Sequence, residues 1–177
     1  MTDRARFDKT ISASTATVSV WLAWTLTGCG YSVGHGDMFR QDIRTVHVPI
    51  FQNKDFRRGL EFQLTEALIK AIELHTPYKT TSDKRKADTV LTGEIREVRQ
   101  GTLGLDFTTH LPRETQATVV ASFRWKDLRT GKILVDMPVI TQSVDYIRPL
   151  GENFYQASQE AMNDLAERIV EKMEKPW

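Results

Sequence analysis

Cys29 is the only cysteine in the 177-residue chain, and it closes the sequence Leu26-Thr27-Gly28-Cys29. One cysteine cannot form an internal disulfide, and an unpaired thiol in an exported chain needs another use. Small residues directly before a lone cysteine, at the end of a short apolar run, are the pattern of a lipidated leader. On this reading Leu26, Thr27 and Gly28 form the cleavage motif. The thiol of Cys29 carries lipid and becomes the first residue of the mature chain. Gly30 follows, so no acidic residue occupies the position that favours inner-membrane retention in some bacteria.

The segment before Cys29 has the three parts of a secretory signal. Arg4, Arg6 and Lys9 stand near the start, no charged side chain occurs from Thr10 to Gly34, and apolar residues concentrate in 16–26. Ser12, Ser14, Thr15, Thr17 and Ser19 make it too polar for a good spanning helix, which needs about 20 mainly apolar residues. An uncleaved anchor and a buried first helix are the two other readings. Acylation with two or more chains would anchor stably, at about 0.8 kcal/mol per buried methylene.

Other reactive constellations are missing from the sequence. His35, His47, His75 and His110 are scattered, without a metal-ligand spacing. There is no Gly-rich phosphate loop and no Gly-x-Ser-x-Gly elbow. With Cys29 acylated, a Cys–His nucleophile is implausible. The expectation is a protein that is not an enzyme and has no cofactor or metal. Removing residues 1–28 takes Lys plus Arg from 24 to 21 and Asp plus Glu from 23 to 21. A neutral mature chain argues against a general nucleic-acid binder. The run Lys84-Arg85-Lys86 reads as a solvated turn or as a contact for an anionic head group.

Residues 29–42 read as a lipidated linker, and 43–177 as one ordinary domain. Thr45-Val-His-Val-Pro-Ile-Phe51 alternates, with Val46, Val48 and Ile50 on one face of a strand. Residues 56–75 have helical periodicity: Leu60, Leu64, Ala67, Leu68, Ala71, Ile72 and His75 share a face, and Pro77 ends the helix. Strands follow at 87–99, 115–126 and 133–146, the last with a break at Pro138. The turn Asp127-Leu-Arg-Thr-Gly-Lys132 joins the final pair, with Gly131 supplying positive φ. A second helix covers 154–173, with Phe154, Ala157, Ala161, Leu165 and Ile169 inward. The order β-α-β-β-β-α predicts an α+β two-layer sandwich: a four-stranded mixed sheet with two helices on one face, its first pair parallel by a right-handed crossover.

Several apolar residues stand outside this core pattern. Phe62 and Ile69 lie almost opposite the first helix's main stripe. Leu103, Leu105, Phe107 and Leu111 occupy the segment 101–112, which is either a loop that meets a partner or lipid, or an extension of the second strand with Gly101 and Gly104 as bulges. Phe62, Ile69, Leu103, Leu105 and Phe107 are the candidate partner contacts.

The chain resembles the LptE-type lipopolysaccharide-assembly lipoproteins over essentially the whole mature sequence. The resemblance rests on Gly28-Cys29-Gly30-Tyr31, on Ile43-Arg-Thr-Val-His-Val-Pro-Ile-Phe-Gln-Asn53, on the helix that follows, and on Ala87-Asp88 with Leu91-Thr92-Gly93-Glu94-Ile95. It implies an outer-membrane lipoprotein facing the periplasm. Such a protein plugs the large β-barrel that delivers lipopolysaccharide to the outer leaflet and assists its assembly, without covalent chemistry. A polar strand face would suit a polar barrel lumen. Its partners would be that barrel, lipopolysaccharide and the membrane through the N-terminal lipid, with no nucleic acid. Arg96, Arg99, Arg113, Arg124, Lys126, Arg129 and Lys132 are the candidate contacts for phosphorylated sugar.

Two other functions fit the same residues. A stand-alone periplasm-facing lipoprotein would bind a cell-envelope ligand. An unrecognised hydrolase would need a cleft with perturbed titratable groups.

Overall fold

The computed structural model describes residues 38–108, 112–147, 151 and 153–174. Residues 1–28, expected to be a leader, Cys29 and residues 30–37 lie outside them. The β-branched segment at Thr45 forms β1 (Thr45–His47), with Val46 fully buried. Pro49 has no N–H to give a ladder. The strand stops before it and resumes as β2 (Gln52–Asn53). β1 and β2 lie in line along one side of β4 (Thr89–Leu105), both parallel to it, opposite Thr89–Val90 and Glu94–Ile95 respectively. The break also changes the phase of the alternation. Ile50, expected inward, is 58% exposed, and Phe51 is buried in its place.

Helix α1 (Leu60–His75) starts at Gly59, whose φ of 94° belongs to the left-handed region that glycine tolerates. The expected stripe is buried from Leu60 to Ile72, while His75 is exposed. The helix therefore begins at Leu60 rather than at residue 56. Beyond Pro77 comes β3 (Lys79–Thr81), parallel to β1 on its outer side. Its short Lys-Thr-Thr sequence carries no alternation, so periodicity gives it no signal. A 3-10 turn at Lys84–Lys86, capped by the Asp83 side chain, leads into β4.

β4, β5 (Pro112–Asp127) and β6 (Ile133–Ile147) form an antiparallel meander. The sheet order is β3-β1-β4-β5-β6, with β2 also on β4. Six strands replace the expected four, yet the α+β two-layer sandwich stands. Pro138 does not end β6; it falls within the register shift between Ala121 and Phe123 on β5. Gly131 has the expected positive φ, at 74°. Helix α2 (Phe154–Glu171) opens with a capping box between Asn153 and Gln156. It buries Ala157, Ala161, Leu165 and Ile169 with Met162 and Ala166.

Both helices pack on one sheet face, where Leu91, Ile95, Val98, Val119, Ala121, Phe123 and Trp125 close the core. The other face carries Thr92, Glu94, Arg99, Thr118, Ser122 and Arg124 and is open. Gly93 fixes how closely the first segment can lie on β4. A Cβ there would collide with the Phe51 ring and with the Ser122 carbonyl oxygen. Gly93→Ala is therefore expected to destabilise the domain by about 1–3 kcal/mol, the usual cost of overpacking. An unchanged urea midpoint would show that Phe51 has room to move away.

Candidate lipid and partner surfaces

The expected lipid site, Cys29 with the expected cleavage motif Leu26-Thr27-Gly28, lies outside the described residues. The chain that leads to it is described from Met38. Residues 38–42, assigned to the linker by sequence, pack on the domain. Phe39 is buried and meets Tyr78 edge-on at 5.7 Å. The Arg40 N–H donates to the Tyr78 hydroxyl at 2.9 Å. Tyr78 lies 5.9 Å from Trp125, whose indole N–H donates to Thr89 Oγ1 at 3.0 Å. The chain thus leaves the fold at the end where β1 and β4 begin and β5 finishes.

The Ala87-Asp88…Leu91-x-Gly93-x-Ile95 segment is structural. The Asp88 carboxylate accepts the N–H of Arg44 at 2.9 Å and of Thr45 at 3.0 Å, and the Thr45 hydroxyl at 3.1 Å. The Arg44 N–H above all, with Thr45 and the Arg129 charge, holds its carboxyl below the usual range against the opposing effect of burial. Leu91 and Ile95 are core residues, and Gly93 admits Phe51. Farther along β4, buried Asp55 accepts the N–H of Val98 at 2.9 Å. The nearby Arg57 guanidinium donates to the Val98 carbonyl at 2.7 Å and stacks on Phe56 and Phe154 at 4.3 and 4.7 Å.

The seven basic candidates do not converge. Arg99, Arg124 and Lys126 share the open sheet face, with Arg96 at the β4 register shift beside it. Three of these are already paired, Arg96 with Glu94 at 3.1 Å, Arg99 with Glu97 at 3.2 Å and Arg124 with Asp136 at 3.0 Å. Arg96 and Arg124, with Glu94 and Asp136, line a shallow depression of about 400 Å³ over Gly93 together with Gln52 and Ser122. Arg129 and Lys132 sit in the β5–β6 turn. Arg113 is exposed at the opposite end of β5, about 45 Å away at the usual strand rise.

Of the segment 101–112, residues 101–105 and Pro112 are strand, 106–108 lie outside the strands, and 109–111, with Leu111, lie outside the described residues. β4 runs to Leu105 and β5 starts at Pro112, with register shifts around Gly104, while Gly101 pairs regularly with Gln116. The shifts spare Gly101, so it is not the bulge that the sequence suggested. Leu103 and Leu105 are about half exposed, and Phe107 is 97% exposed. Phe62 is also exposed on α1, whereas Ile69 is half-buried. Sequence periodicity missed Phe56 and Tyr155, both exposed, at the N-terminal ends of α1 and α2. These ends face the same way as the hairpin tip: Ala157 near the start of α2 packs on Ala117 and Tyr146, and Tyr146 bonds Gln100. No helix among the described residues is long and apolar enough to cross a membrane, and no group of acidic, His or Cys side chains could hold a metal ion.

The described fold is thus a half-covered sheet with a polar face, an exposed apolar hairpin tip and several paired surface charges. Its architecture is shared with solved proteins at low identity. A hypothetical protein from Chlamydia trachomatis has a TM-score of 0.52 at 11% identity, covering 74% of this chain and 98% of that one. An uncharacterized lipoprotein B from Nitrosomonas europaea has 0.51 at 14%, covering 73% and 81%. The PelC dodecamer subunit from Paraburkholderia phytofirmans has 0.50 at 13%, covering 73% and 90%. These establish the fold. No curated protein matches the sequence. The sequence profile of the LptE family, described as lipopolysaccharide-assembly, matches residues 43–174, and the chain belongs to that family.

The depressed Asp88 carboxyl makes a sign prediction. A lowered folded-state pKa gives stability above the unfolded value, about 3.9, and that stability is lost as pH falls through the folded value. Asp88→Asn is expected to lower the urea midpoint near neutral pH. The gap to the wild type should shrink below about pH 4, as Asp88 protonates. A gap that does not change with pH would mean that the charge of Asp88 has no part in tying Arg44 and Thr45 down.

Proposed function

We propose that this protein is an outer-membrane lipoprotein, anchored through Cys29 and facing the periplasm. It acts as plug and assembly partner of the β-barrel that inserts lipopolysaccharide into the outer leaflet. The observation that carries this reading is the family match over 43–174, which spans every described strand and helix. The structure supports it with a polar, solvent-facing sheet surface of the kind that suits a barrel lumen. The apolar tip Leu103–Leu105–Phe107, with Phe62 and half-buried Ile69 on α1, supplies the contact with barrel protein. An exposed phenylalanine at a hairpin tip is the kind of anchor that dominates protein interfaces.

Lipopolysaccharide contact falls to Arg96, Arg99, Arg113, Arg124, Lys126, Arg129 and Lys132. An incoming phosphate must compete with Glu94, Glu97 and Asp136 for three of them. Exposed pairs of this sort are worth about 0–1 kcal/mol each, so a bidentate phosphate can displace them. The depression over Gly93 favours the second reading, in which a stand-alone lipoprotein holds an envelope ligand there.

Tagged protein drawn from detergent-solubilised envelopes should bring down one large outer-membrane β-barrel in stoichiometric amount. Recovery of the lipoprotein alone, with other envelope complexes intact, would favour the stand-alone reading. The pair Leu105→Glu and Phe107→Glu should reduce barrel recovery about ten-fold, the range of a lost interface anchor, with the melting temperature unchanged. Full recovery with both changes would remove the tip from the interface. Cys29→Ala should release the protein from the membrane fraction or stall its processing. Normal processing and tight attachment in that variant would refute the lipid site.

A further inference from the structure

Two turns that are far apart in sequence meet at the end of the sheet where the chain departs toward Cys29. The 3-10 turn Lys84–Lys86 leads directly into Asp88, and the carbonyl of Asp88 accepts the N–H of Leu128, in the β5–β6 turn, at 2.8 Å. The Asp88 N–H donates to the Thr45 hydroxyl oxygen at 2.9 Å, which ties the same corner to β1. The Asp88–Leu128 contact joins the turn that carries Lys84, Arg85 and Lys86 to the turn that carries Arg129 and Lys132 at one end of the sheet, all five exposed.

The acidic groups at this corner are largely turned to the backbone. Asp88 accepts from Arg44 and Thr45, Asp127 from the N–H of Arg129 and Thr130, and Asp83 from the N–H of Arg85. Arg85 also pairs with Asp83, and Arg129 lies 3.7 Å from exposed Asp42. Lys84, Lys86 and Lys132 have no carboxylate partner among the described residues. On the open sheet face, by comparison, Arg99 and Arg124 are paired, as is Arg96 beside it, and Lys126 is not, among the described residues.

We propose that this cationic corner docks on the anionic phospholipid headgroups of the leaflet that holds the Cys29 anchor. The proposal rests on the lipid site for its choice of membrane. Residues 29–37 can span at most about 30 Å, so the point where the chain enters the fold stays near that surface. Lysines with no counter-charge are attracted to anionic headgroups within a Debye length, about 10 Å at 0.1 M salt. The apolar tip, at the far end of the same strands, stays free for protein contact while this corner is occupied.

The test uses the full chain with Cys29→Ser, so that acylation cannot drive binding. It is compared with the same chain carrying Lys84→Ser, Lys86→Ser and Lys132→Ser. Both are sedimented with phosphatidylcholine vesicles, and with vesicles containing phosphatidylglycerol as well. Any binding through the apolar leader contributes equally to the two chains. The expected result is a gain on adding phosphatidylglycerol that falls at least ten-fold in the lysine-free chain, roughly five-fold per cation near the surface, and that weakens with salt. An equal gain in both chains overturns the proposal. So does a gain that salt leaves unchanged. Neither result bears on whether Cys29 is acylated, which membrane fractionation of the Cys29→Ala chain reads separately.

Discussion

The seating of residues 45–55 along β4 is the constraint on which the rest of the fold depends. Three attachments act in line. At one end Asp88 gathers the backbone of Arg44 and Thr45. In the middle the Phe51 ring lies over Gly93, with its N–H donated to Thr65 of α1. At the other end Asp55 takes the Val98 N–H that β2 is too short to reach. A parallel segment this short has few ladder bonds of its own, so side chains supply what the interrupted backbone lacks. Because Thr65 belongs to α1, the same attachments set the height of the helix above the sheet. The core can then close between Leu64, Leu68 and Ile72 on one side and Leu91 and Ile95 on the other.

Length explains why the molecule has distinct ends. Eighteen helical residues in α2 extend about 27 Å. Seventeen strand residues in β4 extend about 55 Å. Two helices cannot cover such strands, and the β4–β5 hairpin must project beyond the core. Small closures at Ala117, Tyr146 and Ala157 seal the core where cover runs out. Beyond that seal, Leu103, Leu105 and Phe107 have nothing of their own chain to pack on. Their exposure follows from the mismatch in length, and it is a cost that solvent alone does not offset. A partner that covers the tip accounts for its apolar character better than chance does.

Periodicity revealed the elements that bury a full face. The stripe from Leu60 to Ile72, the alternation from Ala117 to Trp125 and the inward residues of α2 were all legible, because each repeats its pattern several times. The pieces that escaped are those with too few repeats. β3 has three residues, and β2 has two. Phe51 was placed on the wrong side, because Pro49 shifts the phase by one residue and a proline's effect on phase is not written in composition. The candidate contact residues were named by type, and the sequence did not show how they group. The basic candidates look alike in sequence, yet Arg96 and Arg99 pair with carboxylates two residues before them on β4, strand register pairs Arg124 with Asp136, and the turn of Lys84 and Lys86 meets the β5–β6 turn of Lys132 from more than forty positions away. Aromatic Phe56 and Tyr155 carried no periodic signal, since each stands at a helix boundary.

The distribution of paired and unpaired charge follows from this geometry. On the open face, neighbouring strands set side chains about 5 Å apart, close enough for Arg124 to find Asp136 across the ladder. Such a face presents hydrogen-bonding groups with little net field, which suits water or a polar protein wall. At the turns no ladder holds carboxylates opposite lysines, and the backbone N–H groups of the turns draw the nearby aspartates inward. The cations are left outward as a consequence of turn chemistry. One sheet thus separates three surfaces without a separate domain for each: a neutral polar face, an apolar tip and a cationic corner. Their order along the strands is fixed by the same register that builds the core, so a change in one surface need not disturb the others.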